Sequence, residues 1–273
     1  MKLQKWVPRF VIIGVVTLLT LTLVGNNTVN ASSTKKQQQA ITKLIKRDMR
    51  GVGGKWSVKV TRLSGDKLSV TTGNHKVGKQ RSASTIKVYV MLTVYQLAKS
   101  KRLKLTKSVN ADLRRMIGYS DNSATNRLIR RVGGFKRVTN TAKKYGFNHT
   151  ILKRFMLGSL KNGDNYTTVT DLTNFLTKTY RHDLLGKKYD GKMLTLLRHC
   201  RNHSKLPKLV NHAVVYNKTG EYPAKGVQND ATLFKTKQGV YSVVVMSQAG
   251  NQAKQYKAMN RLGKDVVNRL NRN

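Results

Sequence analysis

The stretch of sequence that decides the fold is Arg81-Ser82-Ala83-Ser84-Thr85-Ile86-Lys87-Val88-Tyr89-Val90-Met91-Leu92. From Ile86 onward, apolar residues recur at three- and four-residue steps, which predicts a buried helix over residues 84–100. On such a helix Ser84 and Lys87 are three positions apart and share one face. We therefore expect a hydroxyl and an amine within reach of each other at a helix N-terminus.

This pairing suits nucleophilic catalysis. The positive end of a helix dipole disfavours an ammonium group, so a lysine there is more easily neutral. A neutral Lys87 is able to take the proton of Ser84, while backbone N–H groups hold the developing oxyanion. The Ser-x-x-Lys spacing is weak alone, because it also occurs at positions 33/36 and 64/67, and a solvated helix start is the simpler interpretation there. The apolar setting and two later motifs distinguish Ser84.

The composition indicates a folded, strongly cationic protein. The chain has 273 residues, long enough for one sizeable mixed domain, and its hydrophobic fraction of 39% is ordinary for a globular protein. The formal net charge is +42, from 53 Lys+Arg and 11 Asp+Glu spread over the whole length. Such a surface attracts polyanions.

The N-terminus predicts export. Lys2, Lys5 and Arg9 precede an apolar run at residues 10–24, and small residues follow up to Ala31, as in a secretory signal peptide. An uncleaved membrane anchor is the alternative, although the run is shorter than the ~20 residues that a span needs. Cleavage removes three cations and no anions, which leaves the mature chain at +39.

We therefore expect a protein that is secreted, extracellular or associated with the cell wall. Its electrostatic partners are expected to be anionic wall polymers rather than a specific nucleic acid. A cationic surface without a specific partner is the alternative. We expect the protein to be a monomer.

The only cysteine, Cys200, excludes an intrachain disulfide. His199 and His203 flank it at helical spacing and raise the question of a metal site, but no further ligand cluster is visible. We therefore expect no metal and no cofactor. Cys200 is predicted to continue the apolar stripe of a helix over residues 191–203.

The domain boundaries follow from composition and pattern. Residues 1–31 are the expected signal peptide, residues 32–39 a loose polar linker, and residues 40–273 one domain without internal repeats. A helical subdomain is expected at about residues 84–205. Two strands are predicted before it and three after it, with amphipathic helices at residues 40–50 and 252–270. This order predicts an α+β fold in which a helical insertion interrupts an antiparallel sheet, and in which the terminal helices pack on one sheet face.

Two further motifs follow Ser84-x-x-Lys87 in order. Ser120-Asp121-Asn122 begins a predicted helix, and Lys218-Thr219-Gly220 ends a predicted strand. Alone, the first motif is more simply explained as a helix N-cap and the second as a strand-ending turn. Together, the three motifs are the set found in class A β-lactamases and penicillin-binding proteins.

From about residue 40 to its end, the chain resembles this family of serine hydrolases. Tyr166-Thr167-Thr168 before a helix also resembles the end of the family's Ω-loop. The resemblance implies a class A β-lactamase-like fold, with a five-stranded antiparallel sheet flanked by terminal helices and an all-helical subdomain. It also implies a β-lactam or a peptidoglycan-type small molecule as substrate.

The resemblance also implies a role for each motif residue. Ser84 is the expected acylated nucleophile and Lys87 its general base. Ser120 relays a proton to the leaving nitrogen, and Asn122 binds the amide side chain of the substrate. The third motif is expected to bind the substrate carboxylate through Lys218, Thr219 and Gly220. The backbone N–H groups of Ser84 and Glu221 form the expected oxyanion hole.

Two departures from the family pattern argue against fast β-lactam hydrolysis. The Ω-loop glutamate that activates the deacylating water is absent, because the only glutamate of the chain is Glu221. Asp164 is the only carboxylate in the matching loop, and a loop or capping contact explains it more simply than a replacement role. Ser84 and Ser120 are also only 36 residues apart. This spacing is shorter than we expect for a true β-lactamase, and it indicates that part of the helical region that walls the cleft is shortened. We expect a serine hydrolase with slow deacylation; the alternatives are a D-alanyl-D-alanine peptidase and a non-catalytic, cationic wall-binding protein.

Overall fold

The computed structural model describes residues 19–64 and 68–272, with side chains from residue 34 onward. Residues 1–18 of the expected signal peptide lie outside the described residues. Helix α1 spans Leu19–Asp48, so residues 32–39, which we expected to be loose, are helical. Their lysines and glutamines are good helix formers, which the prediction overlooked. Among the described residues, no helix has the length and apolar character that crossing a membrane requires.

A five-stranded sheet forms the centre of the molecule, and a two-stranded sheet lies beside it. All strand pairs are antiparallel, and the large sheet has the order β2-β1-β7-β6-β5. The strands are β1 (Lys55–Arg62), β2 (Ser69–Gly73), β3 (Gln80–Arg81), β4 (Tyr166–Thr167), β5 (Val214–Tyr222), β6 (Val227–Lys235) and β7 (Val240–Gln248). Strands β3 and β4 form the small sheet.

Six helices form the predicted insertion between β3 and β5, and one follows the last strand. They are α2 (Lys87–Lys99), α3 (Lys107–Gly118), α4 (Asn122–Arg131), α5 (Gly134–Lys144), α6 (Val169–Arg181), α7 (Lys187–Arg198) and α8 (Gln252–Asn271). Short 3₁₀ turns lie at Ala83–Ile86, Leu206–Leu209 and Pro223–Lys225. Helix α3 was not predicted, and α7 begins and ends a few residues earlier than predicted.

The large sheet separates two hydrophobic cores. Strand β7 shows the division, because its side chains alternate between the sheet faces. Val243 and Val245 pack with α1 and α8, whereas Val244 and Met246 pack with the helical subdomain. The structure thereby confirms the α+β fold and the packing of the terminal helices on one sheet face.

Candidate active site

Ser84 lies in the 3₁₀ turn Ala83–Ile86, directly before α2. Ala83 has a φ of 44°, a conformation that non-glycine residues rarely adopt and that is often found at functional sites. The amide and the hydroxyl of Thr85 both donate to Ser82 O, at 3.1 and 2.7 Å, and hold the turn. Ser84 itself is half-buried at the edge of a cleft. The predicted helix therefore begins at Lys87, and the nucleophile candidate lies on the turn that leads into it.

Lys87 is fully buried at the first position of α2. Its Nζ donates to Ser120 O at 2.6 Å, to Ser120 Oγ at 3.1 Å and to Asn122 Oδ1 at 2.8 Å. The pKa of Lys87 is lowered to about 6, mainly by burial and also by the charge of Lys218, while the charge of Asp121 opposes the change. The amine is therefore mostly neutral at pH 7, as a general base must be.

Ser84 and Lys87, the expected nucleophile and its expected base, are not hydrogen-bonded to each other. Within the described part of the chain, Ser84 Oγ has no hydrogen-bond partner, so its contact with Lys87 Nζ is not formed here. Catalytic hydrogen bonds of this kind commonly tighten only when substrate is bound. The free hydroxyl leaves Ser84 available for attack.

Ser120 joins the first and third motifs. It precedes α4 and has a φ of 57°, again in the left-handed region. The helix starts as predicted at an Asx cap, because Asp121 accepts a hydrogen bond from Ala124 N at 2.8 Å. Ser120 Oγ is within 3.1 Å of Lys87 Nζ and within 3.0 Å of Lys218 Nζ. A single hydroxyl thus connects both lysines.

Lys218-Thr219-Gly220 lies within β5 rather than at its end, which corrects the prediction. The strand continues to Tyr222 because its pairing with β6 remains unbroken from Val214 onward. Lys218 is fully buried, which lowers its pKa, and its Nζ also donates to Thr219 O at 2.8 Å. Thr219 is buried next to it.

Gly220 brings β5 directly against the Ser84 turn. A Cβ atom at this position would lie 2.8 Å from Ser82 O, 2.9 Å from Thr85 N and 3.1 Å from Ser84 N. Only a glycine permits this approach of two backbones. Glu221, the next residue of β5, lines the same small cavity as Ser84, as an oxyanion hole made from these two backbone N–H groups requires.

The Glu221 side chain is engaged by residues outside the Ser84 turn. Its Oε1 accepts hydrogen bonds from Lys205 Nζ at 2.7 Å, Tyr256 OH at 3.0 Å and Asn202 Nδ2 at 3.0 Å. Partial burial disfavours the carboxylate, but the Lys205 ammonium and the hydrogen bonds outweigh this and lower its pKa. The carboxylate therefore acts as a link between β5, α8 and the chain before Leu206.

Asp164 is held in the loop by two arginines. Its carboxylate is buried, forms an ion pair with Arg81, and accepts from Arg154 Nε at 2.6 Å and Asn165 N at 2.8 Å. Burial would raise its pKa, but these hydrogen bonds outweigh burial and lower it. This geometry favours the loop-contact interpretation over the replacement of the missing glutamate.

Residues of the three motifs line two cavities. The smaller, of about 180 Å³, is lined by Ser84 and Asn122 together with Arg154, Met156 and Leu157 from the loop. The larger, of about 610 Å³, is lined by Ser120, Lys218 and Thr219, and by residues 200–204 and Lys208. Ser120 lines the larger cavity and Asn122 lines the smaller, so the Ser120-Asp121-Asn122 motif contributes to both.

Cys200 is buried but lies beyond the end of α7, in the wall of the larger cavity, rather than on a helical stripe. Burial raises the pKa of its thiol. Among the described residues, His, Cys, Asp and Glu form no group of three or more that is able to hold a metal ion.

The fold and the site together define a β-lactamase-like serine hydrolase. The profile of the beta-lactamase enzyme family matches residues 108–270, and the chain belongs to this family. No curated protein matches the chain.

Solved structures with the same fold include a beta-lactamase from Sphaerobacter thermophilus, at 20% identity and a TM-score of 0.74, covering 85% of this chain and 97% of that one. PBP-A is 21% identical with a TM-score of 0.72, over 85% of this chain and 95% of its own. TLA-3 extended-spectrum beta-lactamase is 19% identical with a TM-score of 0.74, and the match covers 85% of this chain and 98% of that one. At these identities the likeness shows the fold.

Proposed function

We propose that the protein is an exported serine hydrolase that forms an acyl-enzyme on Ser84 with β-lactams or related amide or ester bonds, and that it deacylates slowly. The observation that carries this proposal is the meeting of Lys87 and Lys218 at Ser120 Oγ, beside the Ser84 turn. The three groups supply a base, a proton relay and a cation in one cleft.

In acylation, neutral Lys87 takes the Ser84 proton while Oγ attacks the carbonyl carbon of the substrate. The N–H groups of Ser84 and Glu221 stabilise the resulting oxyanion. When the tetrahedral intermediate collapses, the bond from carbon to the leaving atom breaks. Ser120 Oγ gives its proton to that atom and is reprotonated by the Lys87 ammonium 3.1 Å away. The enzyme then carries an ester on Ser84, and Lys87 is again neutral.

Slow deacylation follows from the state of the carboxylates beside Ser84. Asp164 and Glu221 are the acidic residues that line the smaller cavity, and each is already paired with basic side chains. A carboxylate held by cations is a weak base, and its lowered pKa makes it weaker. Water that enters the cavity therefore lacks an effective activating group.

The structural relatives support the same chemistry. A point mutant of PBP-A, at 20% identity and a TM-score of 0.72, has been solved as an acyl-enzyme complex with penicillin G. That result belongs to PBP-A. It makes penicillin a suitable first probe for the present chain.

The decisive experiment is intact-protein mass spectrometry after incubation with excess penicillin, with Ser84→Ala as control. We expect an adduct of the mass of one penicillin that persists for many minutes and is absent from the Ser84→Ala variant. Rapid loss of penicillin without an adduct would contradict slow deacylation. If no adduct forms and no penicillin is consumed, the proposed reaction with β-lactams is overturned.

A D-alanyl-D-alanine peptidase is the second candidate, favoured by the lack of a free carboxylate beside Ser84. Release of D-alanine from an acylated D-alanyl-D-alanine peptide, dependent on Ser84, would establish it.

The net charge of +42 favours a further role in binding anionic wall polymers. Binding to isolated cell walls that weakens with salt and survives Ser84→Ala would show that this role is independent of catalysis.

A further inference from the structure

We infer that the larger cavity is a binding site for a second negative charge on the leaving group of the substrate. This inference rests on the proposed acylation of Ser84. The first negative charge is the carboxylate expected at Lys218 and Thr219. The second is bound by Arg201 and Lys208 at the outer part of the same cavity.

The position of the cavity assigns it to the leaving group. Ser84 lines only the smaller cavity, whereas Ser120, the expected proton donor to the leaving atom, lines only the larger one. A substrate whose scissile carbonyl lies at Ser84 therefore extends its leaving group past Ser120 into the larger cavity. Its acyl part remains in the smaller cavity with Asn122.

The charges of the larger cavity are all of one sign. Lys218, Arg201 and Lys208 contribute to its lining, as does the imidazole of His203, and no carboxylate does. In the part of the chain that the structure describes, neither Arg201 nor Lys208 has an ion-pair partner. Both are exposed, so each remains available to an anionic ligand.

Arg201 is oriented by its surroundings. Its guanidinium lies over the ring of Tyr119, 5.0 Å from the centroid, and its backbone N–H donates to Gly118 O at 3.0 Å. A planar guanidinium held in this way is suited to a carboxylate, which it binds with two parallel hydrogen bonds. Tyr119 itself is 63% exposed, so its ring forms one wall of the cavity without closing it.

The cavity has room for more than one small anion. Its volume of about 610 Å³ lies in the range of about 300–1,000 Å³ that is usual for sites holding a drug-sized ligand. Since Lys218 and Thr219 occupy only its inner wall, space remains for a longer leaving group. The substrate class is thus an amide or ester whose leaving group carries two carboxylates.

The test compares three esters of one N-acylglycine that differ in their leaving group: phenol, 3-hydroxybenzoate and 5-hydroxyisophthalate, with no, one and two carboxylates. Acylation of Ser84 is followed at low ionic strength, and each rate is divided by the alkaline hydrolysis rate of the same ester. We expect the dianionic ester to acylate the wild-type protein about tenfold faster than the monoanionic ester. Added salt should reduce this preference, because both cations are exposed.

Variants then test whether Arg201 and Lys208 cause the preference for the dianionic ester. The double variant Arg201→Ala/Lys208→Ala should lose the preference, Arg201→Lys should keep part of it, and Lys257→Ala on α8, outside the cavity, should keep all of it. The readout is a ratio of two rates on one preparation, so a partial loss of folded enzyme cancels. Equal rates for the two anionic esters, or an unchanged ratio in the double variant, would overturn the inference. Failure of all three esters and of penicillin to acylate Ser84 would instead overturn the proposed function.

Discussion

The amine nitrogens of Lys87 and Lys218 meet at one atom, Ser120 Oγ, at 3.1 and 3.0 Å. Both side chains are buried, and two positive charges at this separation repel strongly in a medium of low dielectric constant. The pair therefore favours a state in which at least one amine is neutral. Burial lowers the pKa of both amines, and that of Lys87 falls to about 6, so Lys87 is mostly neutral at pH 7.

The first prediction is the pH dependence of acylation. Lys87 acts as a base only when neutral, so the rate constant for acylation by penicillin should rise with pH below about 6 and level off above it. Stopped-flow or quenched mass spectrometry from pH 4.5 to pH 9 at constant ionic strength measures this profile. A lysine with the ordinary pKa of about 10.4 would instead give a rate that still rises at pH 9.

The second prediction concerns Lys218→Met. Removing the charge of Lys218 relieves the repulsion on Lys87, so the midpoint of the acylation profile should move to higher pH. The rate on the plateau should also fall, by about 10- to 100-fold, because the substrate carboxylate loses its cation. Lys257→Met on α8 serves as the matched control and should change neither quantity. A profile with a lower plateau but an unmoved midpoint would show that Lys218 carries no charge in the free enzyme.

The third prediction separates structural from catalytic roles of Asp164. Asp164→Asn leaves the Arg81 and Arg154 guanidinium groups, 27% and 12% exposed, without their counter-ion, and should reduce the free energy of unfolding by about 3–5 kcal/mol. Urea denaturation measures this loss. The lifetime of the acyl-enzyme at a temperature where the variant is folded should not change, and a large change would assign Asp164 to deacylation.

Asp183→Asn is the matched control, because Asp183 is exposed and has no ion-pair partner among the described residues. It should alter the free energy of unfolding by less than about 0.5 kcal/mol.

The contribution of Asp164 to stability should also depend on pH. Because the folded-state pKa of Asp164 is lowered, its contribution is present above the unfolded-state value of 3.8 and is lost as the pH falls through the folded-state pKa.

The fourth prediction contrasts two glycines. Gly220→Ala places a Cβ atom within 2.9 Å of the Ser84 turn, so it should destabilise the protein by about 1–3 kcal/mol and slow acylation at least about tenfold. Gly191→Ala in α7 meets no atom within 4 Å and should stabilise the protein by about 0.5–1 kcal/mol. Thermal unfolding and penicillin acylation of both variants provide the test. Normal acylation by the Gly220→Ala variant would mean that β5 is able to move away without disturbing the oxyanion site.

Much of the fold was predictable because its helices and strands each have a local pattern. The alternation around Val58 and Val243 indicates strands, and the spacing of apolar residues after Ile86 indicates a buried helix. Helix α3, which was not predicted, also has a local pattern, because Val109, Leu113 and Met116 follow a helical spacing. Residues 32–39 are polar throughout, and without an apolar stripe the pattern does not distinguish a solvated helix from a loose segment.

Residue type and local spacing are enough to give most of the element order, the three motifs that contain Ser84, Ser120 and Lys218, and the absence of a glutamate from the Ω-loop. These are properties of residue type and local spacing, which the chain carries in any conformation. Only the tertiary structure decided that Lys218, 98 positions after Ser120, reaches the same hydroxyl as Lys87. The tertiary structure also packs Gly220 against the Ser84 turn and pairs Asp164 with Arg81 and Arg154. Such contacts depend on how the sheet and the helical subdomain pack together, and no local pattern records that packing.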